Sequence, residues 1–177
     1  IDPSKSWWYL VHFDWKDSKW TYGDLQNVIN DELSVKNKDG ERVQLKFLSA
    51  DEAAEMLGVF LAPDGNNKAQ IKKMTKKAID AGDKIKCSNL DRNSAWTALQ
   101  TMTMRSLQYP LPALTLSSLE CKQIMWNALQ RILPKCGINR RIPRSILYGS
   151  SSRQGLGVKD LHLLQGIQHI TDIVDHS

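Results

Sequence analysis

Apolar and polar residues alternate along the first third of the chain, then apolar ones recur at three- and four-residue spacing. In residues 7–22, Trp7, Tyr9, Val11, Phe13 and Trp15 fall on one strand face, with Leu10, His12 and Asp14 on the other. Lys16-Asp17-Ser18-Lys19 makes a polar tip before Trp20 and Tyr22 return, so this stretch predicts a β-hairpin. Gly23 to Glu32 is weakly patterned and reads as a loop or a short helix. Leu33 to Leu48 predicts a second hairpin, with its turn at Asn37-Lys38-Asp39-Gly40 and Val43, Leu45 and Phe47 alternating along the outgoing strand; Asp-Gly is a strong hairpin signal. Ser49 to Glu55, acidic and containing alanine, is expected to form one helical turn. Met56 to Ala62 is a short apolar strand. Pro63-Asp64-Gly65-Asn66 follows as a turn, because Pro presets φ and Gly tolerates φ > 0.

From Asn67 onward the pattern is helical. In a helix from about Asn67 to Lys86, Ile71, Met74, Ala78, Ala81 and Ile85 share one face, and Gly82 is a soft point. Asn89 or Asp91 can cap a second helix, Arg92 to Gln108, burying Ala95, Trp96, Leu99, Met102 and Leu107; Tyr109-Pro110-Leu111-Pro112 ends it. Ser117-Ser118-Leu119-Glu120 is a capping box for a third helix reaching about Leu133, with Ile124, Met125, Ala128, Leu129, Ile132 and Leu133 as its apolar face. Pro134, Gly137 and Pro143 break the chain into a basic loop. Asp160 opens a last helix in which Leu163, Ile167, Ile170 and Val174 share a face. The predicted class is α+β: N-terminal antiparallel β-hairpins followed by a helical bundle. The expected organisation is a β region over 1–65, a helical region over 66–134, and a basic loop with a C-terminal helix over 135–177.

Composition changes this picture little. A length of 177 residues, 41% hydrophobic and 24% charged, suits a folded globular chain with a sizeable core. No apolar run reaches the roughly 20 residues that cross a bilayer, so no membrane partner is expected. Cys87, Cys121 and Cys136 are odd in number and widely spaced, which favours buried reduced thiols and an intracellular protein. The chain opens at Ile1 without Met, and its first apolar strand begins almost at once, which fits a piece of a longer polypeptide.

Charge changes it more. The net charge is +5 and the pI about 9.1, which favours an anionic partner. Lys72, Lys73, Lys76, Lys77 and Lys84 fall opposite the apolar face of the first helix; together with Lys68 and Lys86 they meet only Asp80 and Asp83 there. Arg131, Lys135, Arg140, Arg141, Arg144, Arg153 and Lys159 span a stretch without any acid. Such clusters bind nucleic acid by releasing counterions, without reading sequence; the alternative for the helix is a solvated lysine face. The hairpin aromatics can stack bases, although large aromatics more often cover neighbouring elements.

Catalytic signatures are missing. There is no Walker or dinucleotide loop, and no serine or cysteine is flanked as an activated nucleophile. His162 and His169, seven apart near Asp172, would make an independent metal-dependent enzyme only if all three converged.

Four stretches in order carry a resemblance. They are Lys5-Ser6-Trp7-Trp8-Tyr9-Leu10 with Phe13-Asp14-Trp15; Met56-Leu57-Gly58-Val59 with Ala62-Pro63-Asp64-Gly65-Asn66; Tyr109-Pro110-Leu111-Pro112-Ala113-Leu114 with Glu120-Cys121; and Gln154-Gly155-Leu156-Gly157-Val158 with Leu164-Gln165-Gly166-Ile167. Together they resemble the C-terminal segment (palm end, thumb and following connection) of reverse transcriptases of the non-LTR retrotransposon type, in a protist and algal branch. Gln154 stands where that family usually has glycine. The resemblance implies a strand and turn on the primer side, carried by Leu57, Gly58, Pro63, Gly65 and Asn66, and a thumb holding an RNA–DNA or DNA duplex. Its nucleic-acid-binding residues would be Lys68, Lys72, Lys73, Lys76, Lys77, Lys84, Arg140, Arg141, Arg144 and Arg153. The family's aspartate pair would lie upstream of Ile1, in a polymerase domain of the same polypeptide. No catalytic residue, metal or cofactor is therefore expected in this segment, and magnesium is expected in the parent enzyme. The implied location is intracellular, in the nucleus. The competing expectation is a non-catalytic, retroelement-derived module that binds a protein through its aromatic hairpin.

Overall fold

The computed structural model describes residues 6–23, 33–37 and 40–176. The connection expected over Gly23 to Glu32 lies, beyond Gly23, outside the described residues, as do Lys5 of the first resemblance and Lys38 and Asp39 of the second hairpin turn. The chain divides into two compact units, residues 1–66 and 67–177. The first is built of short strand pairs and the second of helices, an α+β chain.

In the first unit, strand β1 (Trp7–Trp8) pairs in parallel with β6 (Lys46–Phe47), so Trp8 meets Phe47 edge-on at 4.9 Å between ring centroids. The strand expected to run unbroken from Trp7 to Trp15 therefore stops after two residues and restarts as β2 (Phe13–Lys16), which pairs antiparallel with β3 (Lys19–Tyr22). The backbone between them is used otherwise: Leu48 N–H donates to the Trp8 carbonyl, and Gly23 N–H to that of His12. A two-residue tip joins β2 to β3, with Asp17 and Ser18 both at positive φ (50° and 59°), the geometry whose twist suits a hairpin. The second hairpin forms as expected from β4 (Ser34–Lys36) and β5 (Arg42–Gln44). Asn37 closes its loop, its Oδ1 accepting from the Glu41 amide at 2.9 Å.

Two expectations fail next to each other, for one reason. Ser49 to Glu55 is not helical; after a turn it becomes β7 (Ala54–Met56), antiparallel to β8 (Val59–Leu61). Leu57 and Gly58 are consequently the two-residue tip of a hairpin and not part of a strand, at φ 49° and 82°. Glycine meets that geometry without a Cβ penalty, whereas Leu57 adopts it at a cost and stands 90% exposed. The Pro63 turn does form: the Gly65 amide donates to the Ala62 carbonyl at 2.9 Å.

The second unit holds the larger core. Helix α1 (Lys68–Cys87) packs chiefly on α4 (Ser118–Lys135). Gly82 is buried on that contact, and a Cβ there would come within 2.8 Å of Arg131 Cδ and 3.0 Å of its Cβ. It is a point of close approach, not a soft point. Asp91 caps α2 (Arg92–Ala98), which continues through a π-helical segment, Leu99–Thr103, into α3 (Met104–Gln108). The wider π turn shifts the inward face by one position. Thr103 and Met104 are buried, and Met102, expected inside, is 70% exposed.

A short 3₁₀ turn, Leu111–Ala113, leads to α4, whose Ser117/Glu120 capping box forms with both bonds present. α4 runs to Lys135, past the expected end, because Pro134 sits in its last turn. The expected basic loop contains a helix, α5 (Arg144–Tyr148), and a 3₁₀ turn, Ser151–Arg153. Gln154 adopts the left-handed conformation (φ 63°) that suits glycine, and the tight approach falls on its neighbour: a Cβ on Gly155 would lie 2.2 Å from the Gly149 carbonyl oxygen. Asp160 caps α6 (Leu161–Asp175), accepting from the His162 and Leu163 amides. α6 is held by Leu161 and by Gln165, whose side chain bonds both the amide and the carbonyl of Leu116 at 3.0 and 3.1 Å. Leu163, Ile167, Ile170 and Val174 share a face, but each is more than half exposed.

Candidate nucleic-acid interface

The lysines of α1 are positioned by what lies beneath them. Met74 and Ala78 are fully buried and Ile85 nearly so, which fixes the roll of the helix. Lys68, Lys72, Lys76, Lys77 and Lys84 are consequently exposed, and Lys73 is half-buried. Lys68, Lys72 and Lys76 recur every fourth residue, as do Lys73 and Lys77, so they form adjoining rows along the outer surface. Residues 68–77 contain five lysines and no acid. Of the two acids farther along, Asp83 receives the Arg131 guanidinium at 2.9 Å, so its charge is engaged by α4. Mutual repulsion among like charges at this spacing costs a few tenths of a kcal/mol per pair, and an anion laid along the rows would remove it.

The second basic group is less uniform. Arg131 also donates to the Asn127 carbonyl at 2.8 Å, and Lys135 donates to the Ser88 carbonyl at 2.8 Å, so both belong to the helix packing. Arg144 lies over the Trp126 ring, 5.2 Å from its centroid, and reaches the Tyr148 hydroxyl at 3.5 Å. It is oriented by that stacking while its charge stays at the surface. Arg140, Arg141 and Arg153 are exposed. The structure thus joins the α1 lysines into one face, places Arg140 and Arg141 together on one turn with Arg144 and Arg153 on other elements, and draws Arg131 and Lys135 into the helix packing. The sequence contained the signal for Arg131, because Gly82 on the neighbouring helix leaves room for a long side chain; periodicity alone read it as softness.

The strand-and-turn residues belong to the first unit. Leu57 and Gly58 occupy the hairpin tip. Pro63, Gly65 and Asn66 form the turn, where the Asn66 side chain donates to the Asp64 carboxylate at 2.9 Å and to the Asp51 carbonyl at 3.1 Å. In the aromatic hairpin, Trp15 and Trp20 face each other across the strands at 5.0 Å, edge to face. Phe13, Trp15 and Trp20 are 50%, 59% and 66% exposed, contrary to the expectation that they cover neighbouring elements.

Burial governs the titratable groups whose values depart most from the ordinary ones in the helical unit. Burial pushes the Cys121 thiol up to about 11, and burial also raises Cys136 and the Tyr148 phenol. Among the described residues no group of three or more His, Cys, Asp and Glu side chains could hold a metal ion, and no helix is long and apolar enough to cross a membrane.

Fold and charge together define an α+β chain whose helical unit presents a row of lysines. Compared with known proteins, it matches no family model, no curated protein and no solved structure.

Proposed function

We propose that this chain is the duplex-holding segment of an RNA-directed DNA polymerase, gripping an RNA–DNA or DNA duplex through its phosphate backbone. The observation that carries the reading is the outer face of α1: five lysines in three turns, without an acid, on a helix locked in rotation by its packing on α4. Lysines laid along a duplex would displace the cations condensed on its phosphates and gain affinity without base contacts. The four ordered sequence resemblances supply the polymerase context, in which the catalytic aspartates and their magnesium ions belong to a different part of the polypeptide. Lys68, Lys72, Lys73, Lys76, Lys77 and Lys84 make the grip, and Arg140, Arg141, Arg144 and Arg153 contribute as separate anion contacts.

The test is a salt titration of binding to an RNA–DNA hybrid. Replacing Lys72, Lys73, Lys76 and Lys77 by Ala is expected to reduce the slope of log K against log salt by about 3 to 4, roughly one counterion per lysine. An unchanged slope would remove the electrostatic role.

A second reading, a protein-interaction module, is favoured by the exposure of Phe13, Trp15 and Trp20. Replacing Trp15 and Trp20 by Ser would then abolish partner capture while leaving hybrid binding intact.

A further inference from the structure

A cleft of about 370 Å³ opens beside α1, between Lys77, Ala81, Lys84 and Ile85 on one wall and Met102 and Thr103 of the π-helical segment on the other. Its size falls within the range of small-molecule sites, roughly 300–1,000 Å³. The π turn shapes it, turning Met102 outward to 70% exposure and Thr103 inward to 2%. The buried Thr103 hydroxyl has no hydrogen-bond partner among the described residues. A buried hydroxyl left unpaired is destabilising, so the spot favours an occupant with a polar edge.

We propose that this cleft binds a nucleoside 5′-monophosphate. Ala81, Ile85 and the flexible Met102 thioether offer an apolar surface to a planar base. Lys77 and Lys84, two helical turns apart, flank the opening and match a phosphate dianion. Asp80, which also lines the cleft, would repel a bare anion but accepts hydrogen bonds from a ribose diol or an exocyclic amine. An aliphatic carboxylate fits less well: it can accept from Thr103 but offers no donor to Asp80, and the solvent-open cleft would leave its tail in water. The site shares Lys77 and Lys84 with the duplex grip but does not depend on it.

Calorimetric titration of the full chain with AMP tests this, with inorganic phosphate, adenosine and octanoate as comparators. AMP is expected to saturate one site and to bind more tightly than any comparator. Ala81→Phe, which fills the cleft without altering charge, should weaken AMP by about tenfold or more while leaving hybrid-duplex affinity unchanged. Lys84→Gln, at an exposed position, should bring AMP down toward adenosine while adenosine itself is unaffected. A 5′-phosphorylated oligonucleotide that displaces AMP would identify a strand end as the natural source; failure to displace it would identify the free nucleotide. No saturation by AMP, AMP binding unaltered in both variants, or octanoate or phosphate binding as tightly as AMP would overturn the proposal. Loss of duplex binding on replacing Lys68, Lys72, Lys73 and Lys76 by Ala with AMP binding retained, or loss of AMP binding in Ala81→Phe with duplex binding retained, separates the two readings.

Discussion

Gly82 and Arg131 show how a single position sets the spacing of two helices. The missing Cβ lets Arg131 cross the surface of α1 and reach Asp83, and a side chain at 82 would strike the Arg131 Cβ as well as its flexible end. Gly82→Val is therefore expected to lower stability by about 2 kcal/mol, measured by urea unfolding, despite the poor helix propensity of glycine. Gln165 is a second such residue. Buried at 7% exposure, it satisfies both backbone groups of Leu116, so Gln165→Leu leaves a donor and an acceptor unpaired and should cost about 2 to 3 kcal/mol in the same measurement. Cysteine reactivity divides by burial. At pH 8 iodoacetamide should modify exposed Cys87 first and spare Cys121, whose thiol is pushed up to about 11 by burial, with smaller contributions from Asp160 and Glu120. Mass spectrometry of the alkylated chain checks the order.

Among the elements, the caps were the most legible from sequence, because a cap is a local device. Ser117 and Glu120 make their reciprocal bonds, and the hydrogen bonds from Ser117 hold the Glu120 carboxyl below its usual range. A carboxylate with a lowered folded pKa adds stability above its unfolded pKa and loses it as pH falls through the folded one. Thermal stability of the helical unit should thus fall below about pH 4, and Glu120→Gln should flatten that fall. The π segment was illegible because a one-residue change of helical register has no signature in composition. The expected burial held at Ala95 and Leu99, was only partial at Trp96, and was wrong by one place at Met102. Leu57-Gly58 misled for a related reason: the short apolar run Met56 to Ala62 reads as a strand, while its second and third residues are a turn whose positive φ only tertiary pairing reveals. The last helix shows the limit of periodicity, since Leu163, Ile167 and Ile170 share a face as expected and yet remain exposed.

At the scale of the molecule, the chain is a lightly built β unit followed by a helical unit with a dense core. In the first, Leu48 and Val59 are buried hydrophobics; in the second, Met74, Leu99, Leu107, Ile124, Leu129 and Ile132 have essentially no exposure. A fragment of residues 67–177 should therefore unfold cooperatively by itself and retain the binding of its lysine face; a non-cooperative transition by circular dichroism would count against its independence. The sequence by itself determined the α+β class, the caps, the hairpin from Ser34 to Gln44 and the lysine face of α1, because these follow from local propensity and from periodicities of two and 3.6. Tertiary structure alone decided that Trp7–Trp8 pairs in parallel with Lys46–Phe47, that Gly82 admits Arg131, that Arg131 and Lys135 join the helix packing while Arg140, Arg141, Arg144 and Arg153 stay exposed, and that a π turn opens a cleft beside the lysines. Each of these depends on which distant residue arrives at a given backbone group or side chain, and no window of neighbouring residues contains that information.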